Sequence, residues 1–122
     1  MDELIATEDA RLLAEIGFIA LSAGLDQQAE AIFAGLKAAK PSQEAGPLGL
    51  AMVHMGRGEL DAAIAILKAL PPSDAAQTYL GLALARRGDT GEARSIFDRV
   101  IRTTRDASFS ALARAGLDQL AH

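Results

Sequence analysis

At 122 residues, half of them hydrophobic and 23% charged, the chain has the length of one domain and a composition that excludes a disordered or low-complexity segment. It has no cysteine, which removes disulfides, thiolate catalysis and cysteine-ligated zinc together. The net charge of −4 is uneven: residues 1–60 carry 4 basic and 9 acidic side chains, residues 61–122 carry 8 and 7, and neither half has the basic excess of a nucleic-acid binder.

In chain order, the first helix is expected from Thr7, a residue able to cap it, with Glu8 and Asp9 in the first turn at the positive end of the helix dipole. It runs through LLAEIGFIALSAG to Gly24, and a second helix follows in GLDQQAEAIFAGL. Pro47 suits only a first turn, so the third helix is expected to be short and to start between Glu44 and Pro47. The fourth helix, in GELDAAIAILKAL, should end a turn early at Pro71 and Pro72, and Ser73 or Asp74 should start the fifth. A sixth follows in GDTGEARSIFDRV. In the last stretch, RDASFSALARAGLDQLAH, the residues Phe109, Leu112, Ala113, Gly116, Leu117 and Leu120 share one face of a seventh helix.

These helices repeat. Aligned on Gly24, Gly58 and Gly88, which are 34 and 30 residues apart, Ala29, Ala63 and Ala93 fall in one column, and Phe33, Leu67 and Phe97 in another. Upstream of each glycine, Ile16, Leu50 and Leu80 form an apolar column and Gly17, Ala51 and Gly81 a small-residue column. A glycine between two helical blocks supplies the left-handed residue that ends the first and turns the chain. Each repeat is therefore a helical hairpin, and the pairs Gly17 with Ala29, Ala51 with Ala63 and Gly81 with Ala93 are expected where its two helices cross closely.

This pattern resembles the tetratricopeptide repeat (TPR), a family of 34-residue helical hairpins, over roughly residues 10–105. The resemblance implies an all-α, right-handed superhelix of three hairpins plus a C-terminal capping helix. The repeats fall at about 10–43, 44–73 and 74–105, with the cap at about 106–121, in a single domain over residues 1–122. Pro41 closes the first repeat where the family usually has a proline. The large aromatic of the family's first helix is replaced here by Leu13, Pro47 and Gln77.

Little in the chain suggests catalysis. His54 stands in an apolar column with Ala20 and Leu84, His122 ends the sequence, and two histidines without cysteine make no transition-metal ligand set. GPLGL and GRG lack the Gly-Lys-Ser/Thr end of a phosphate loop, and their glycines are read as turns. Asp26, Glu30, Glu59, Asp61, Asp89 and Glu92 fall at hairpin turns and on outer faces, where solvated charge is the default. No enzyme, cofactor or metal is expected. Asp2 and Glu3 stand where a signal peptide would be basic, and no apolar run approaches the ~20 residues of a membrane span, so a cytoplasmic location is expected.

The resemblance makes the first helix of each hairpin line a concave groove. That carries Phe18, Leu21, Leu48, Met52, Met55, Tyr79 and Leu82 to partner-binding positions, edged by Arg11, Ala14, Glu15, Ser22, Thr78 and Arg86. Repeat proteins that clamp acidic C-termini use lysine, arginine and asparagine there, whereas this chain has Ala14, Phe18, Leu48, Met52, Thr78 and Leu82. A small apolar-grooved TPR protein resembles the chaperones of bacterial type III secretion systems. The stretch LLAEIGFIALSAGLDQQAEAIFAGLKAAKPSQ looks like their first repeat and MVHMGRGELDAAIAIL like their second. The partner this implies is a protein client offering an amphipathic helix or an extended apolar segment, with a co-chaperone or a homodimer also compatible. A general TPR scaffold or regulatory adaptor, and an enzyme subunit, stay open as other classes.

Overall fold

The computed structural model of the chain describes residues 6–121. Asp2, Glu3 and His122 lie outside the described residues, as do the ends of the expected 1–122 domain. The described residues form seven α-helices and no strand: α1 (Thr7–Ser22), α2 (Asp26–Ala39), α3 (Ala45–Gly56), α4 (Leu60–Ala69), α5 (Asp74–Arg87), α6 (Thr90–Thr103) and α7 (Ala107–Leu120).

The turn glycines do what their columns imply. Gly24, Gly58 and Gly88 have φ of 79°, 77° and 98°, and no other described residue is left-handed. At the first turn the Leu25 amide donates to the Ala20 carbonyl (2.9 Å), and at the third Asp89 donates to Leu84 (2.9 Å). These bonds close the helix ends as a Schellman motif does. Proline sets the other limits. Pro47 is the third residue of α3, and Pro71 and Pro72 hold α4 to 10 residues where α2 and α6 have 14. Ser73 caps α5, its Oγ accepting from the Ala76 amide at 3.0 Å. Thr7 departs from expectation: it is the first residue inside α1, the N-cap is Ala6, and no side chain caps that end.

The chain divides into two compact units, Met1–Gly58 and Glu59–His122, with the division at the turn between the two helices of the second sequence repeat. In the first unit α2 packs against both α1 and α3. Phe33 of α2 is fully buried at its centre, and a β-carbon on Gly17 of α1 would come within 2.7 Å of the ring. One on Gly49 of α3 would collide with the same ring. Phe33 is thus gripped between two glycines from different helices. Gly46 is equally constrained, since a β-carbon there would lie 2.6 Å from the Lys37 backbone nitrogen of α2. The sequence alone reads Gly46 and Gly49 as turn residues. They lie inside α3, and close approach to α2 is what requires them to be glycine.

The second unit is built on the same device. Phe97 of α6 is fully buried, and β-carbons on Gly81 of α5 and Gly116 of α7 would fall 2.6 and 2.5 Å from its ring. Here α5 packs against α4, α6 and α7. Asp106 caps α7 by accepting from the Ser108 amide (2.8 Å), and the Thr104 hydroxyl donates to Asp74 (2.7 Å), tying the end of α6 to the start of α5. Ala29, Ala63 and Ala93 are each fully buried, as the small column requires. The glycines at 17 and 81 have a more specific cause than a bare helix crossing, namely the phenylalanine ring that each one admits.

Candidate functional site

The first helices of the hairpins carry the residues assigned to partner binding, and the structure places them in two groups. Leu48 and Met55 of α3 are buried, each 8% exposed. Phe18, Leu21, Met52, Tyr79 and Leu82 are half-buried, with part of each apolar side chain open. Phe18 leans on the core, its ring centroid 4.8 Å from that of Phe33 at 57°, and Leu21 packs against the same cluster. Helical spacing puts Leu48, Met52 and Met55 on one side of α3, so Met52 stands open beside two buried neighbours.

In the second unit Leu82 lines a pocket of about 220 Å³ with Ala85 and Arg86 of α5 and Gly116, Gln119 and Leu120 of α7. The capping helix therefore furnishes half of this cleft, whereas the resemblance lines the groove with first helices alone. In the first unit Thr7, Ala10, Arg11 and Ala14 of α1, with Gln43 and Ala45, line a second cleft. Of the predicted edge residues, Arg11, Glu15, Ser22 and Arg86 are exposed and Ala14 half-buried. Thr78 is not an edge residue: it is fully buried, and its hydroxyl donates to the Asp74 carbonyl one turn back (2.7 Å). That internal bond satisfies the hydroxyl and lets a polar residue sit in a core position.

Several of the outer charges pair with one another. Arg57 reaches Glu30 at 3.2 Å in the first unit; in the second, Lys68 meets Glu92 at 3.5 Å and Arg87 bridges Asp61 (2.9 Å) and Asp89 (2.6 Å). Hydrogen bonding to Asp61 first, then to Asp89, raises the Arg87 pKa further above its ordinary value. Arg57 and Arg87 each directly precede a turn glycine and each reach back to the preceding helix. They are fastenings between hairpins rather than reactive groups. Among the described residues no cluster of three His, Cys, Asp or Glu side chains could hold a metal ion, and no helix is long and apolar enough to cross a membrane. His54 is half-buried in the last turn of α3.

No family model matches the chain, and no curated protein matches it in sequence. Solved structures do match in fold. The type III secretion translocator chaperone SycD of Yersinia enterocolitica superposes with a TM-score of 0.79 at 19% identity, covering 96% of this chain and 91% of that one. The fold is TPR-like. The first TPR of Spaghetti (RPAP3), bound to the HSP90 peptide SRMEEVD, gives 0.73 at 19% identity, covering 97% and 98%. The Sgt2 TPR domain from Aspergillus fumigatus gives 0.73 at 15%, covering 94% and 81%. With the TPR hairpin as frame, α1, α3 and α5 are first helices, α2, α4 and α6 second helices, and α7 the terminal cap.

Proposed function

We propose that this TPR-like protein is a non-catalytic, cytoplasmic protein-binding chaperone or adaptor that holds an apolar segment of a client on its first-helix faces. The observation that carries this reading is the character of those faces. Phe18, Leu21, Met52, Tyr79 and Leu82 present partly open apolar surface, and methionine and tyrosine adapt well to another chain's side chains. Two of the matched folds differ in what they bind: SycD is a translocator chaperone, and the Spaghetti TPR holds an acidic HSP90 peptide. Ala14, Phe18, Met52 and Leu82 supply no positive charge for an acidic peptide, which favours a client of the first kind. A type III secretion export or apparatus subunit is the client class this reading names, and Leu48 and Met55 serve it by supporting Met52 from below.

The test begins with capture of the partner from the native host and its identification by mass spectrometry. Affinity and melting temperature are then measured for the parent, Met52→Glu, Leu82→Glu and Glu92→Ala. A carboxylate buried without a partner against an apolar client costs several kcal/mol, roughly enough to take a micromolar complex beyond detection. Both glutamate variants should lose binding while melting within a few degrees of the parent, and Glu92→Ala should retain it. Undiminished binding in both glutamate variants would move the client off these faces.

A further inference from the structure

Among the described residues, the large hydrophobic side chains that stand exposed gather on α1 and the turn after it: Leu12 (56%), Leu13 (37%), Ile16 (43%), Ile19 (68%) and Leu25 (47%). Leu12, Ile16 and Ile19 are spaced by four and three, so they form one stripe along the helix. The five together open on the order of 450 Å² of apolar surface, the size at which a monomer's largest patch is often functional.

The repeats show what normally covers this stripe. The same three places in α3 hold Gly46, Leu50 and Val53, and in α5 they hold Ala76, Leu80 and Ala83. In α3 the face is covered by the preceding helix: the Lys37 backbone of α2 lies directly over Gly46, and Val53, 1% exposed, belongs to the cluster that includes Phe33 and Leu36. In α5, which packs on α4, Ala76 and Ala83 are fully buried and Leu80 is 4% exposed against 43% for Ile16. Within its own unit α1 packs on α2 and α3, and neither helix covers this third side.

We propose that the Leu12–Ile16–Ile19 face of α1 docks an amphipathic helix of a partner protein, apolar on one side and lined with lysine or arginine at its margins. The geometry follows from the repeats, in which a second helix lies against this face of every later first helix. The charge follows from the margins of the stripe. Glu8 and Glu15 flank it on one side and Asp9 on the other, all exposed, with Arg11 set further round beyond Glu15. A second copy fits less well, because antiparallel pairing of α1 about Ile16 brings the two Glu15 carboxylates together. The occupant also stands further off than α2 does from α3. Leu12 and Ile19 fill places that hold glycine, alanine or valine in the later repeats, so the axes sit towards the ~10 Å end of the usual range and the incoming helix carries small residues opposite Ile19.

The probes are two labelled helical peptides of about 18 residues, with leucine and alanine at the same four-three spacing. One has lysine at its margins and the other glutamate. Binding is read by fluorescence anisotropy at about 50 mM and about 0.5 M salt, spanning strong to weak screening. The lysine peptide should bind at least tenfold tighter at low salt, and the preference should shrink at high salt. Ile19→Asn should weaken it at least tenfold with unchanged melting, Glu8→Lys with Glu15→Lys should reverse the preference, and Met52→Glu should leave it untouched. Equal binding of both peptides at low salt, no binding of the lysine peptide, or indifference to Ile19→Asn overturns the proposal. So does sedimentation showing a dimer that Ile19→Asn converts to monomer, since the face then belongs to a second copy.

Discussion

Three helical glycines make the grip on Phe33 measurable. Gly17, Gly35 and Gly49 all lie inside helices, so replacing any of them with alanine gains about 0.8–1 kcal/mol of helix propensity. At Gly35 a new methyl group meets nothing within 4 Å, and the gain should appear in full. At Gly49 the methyl drives into the Phe33 ring, which is fully buried and already has Gly17 close against its far end, so it has little room to retreat. Overpacking of this kind costs about 1–3 kcal/mol, and since the propensity gain is common to both, Gly49→Ala should come out about 1–3 kcal/mol below Gly35→Ala. Gly17→Ala, whose methyl meets the far end of the ring at 2.7 Å, should fall between them. In a unit of this size about 2 kcal/mol corresponds to a melting difference on the order of 10 °C, readily followed by circular dichroism at 222 nm. Combining Gly49→Ala with Phe33→Leu should return much of the loss, because the shortened side chain makes room for the methyl, and the cycle should show a coupling of at least about 0.5 kcal/mol. If Gly49→Ala melted above the parent as Gly35→Ala does, the ring would not be held as described.

Four further outcomes follow from other places in the fold. Ser73→Ala removes the acceptor that caps α5 and should cost about 1 kcal/mol in urea denaturation. Gly88→Ala forces a side chain into φ 98° and should cost about 1–2 kcal/mol, whereas Gly91→Ala, inside α6 with open space around it, should be neutral or stabilising; equal effects would remove the conformational argument. Ala63→Leu adds bulk at a fully buried place and should cost about 1–3 kcal/mol by the same measurement. On the client side, Met52→Glu and Leu82→Glu should part binding from stability, losing the first and keeping the second.

Most of the fold was legible because its signals are local. The left-handed glycines, the prolines at 47, 71 and 72 and the Ser73 cap each act on neighbouring residues, so their effects could be read in one dimension. What escaped depends on contacts between helices. Gly49, two residues after a proline, reads as a turn until Phe33, sixteen residues earlier, is known to press on it. Thr78 reads as a polar edge until packing is seen to bury it fully, with its hydroxyl satisfied by its own helix. Leu48 and Met55 share a helical side with Met52, and periodicity alone does not divide the buried members of that side from the open one. The stripe on α1 was hidden for a related reason: Ile16 stands in a column with Leu50 and Leu80, and an alignment of repeats gives every member of a column the same environment. Among the described residues, no helix stands before the first member to cover it.

Each gripped phenylalanine belongs to one repeat and is closed in by two. Phe33 takes one jaw from the first helix of its own hairpin and the other from the first helix of the next, and Phe97 does the same with α5 and the capping helix. The sequence period is therefore not an exchangeable cassette. A hairpin excised at its period boundaries leaves with a ring closed on one side only, and leaves behind a glycine facing nothing. Transplants into or out of this chain should keep a first helix, its second helix and the following first helix together, so that ring and both jaws travel as one segment and the cuts fall in mid-hairpin turns such as Gly58.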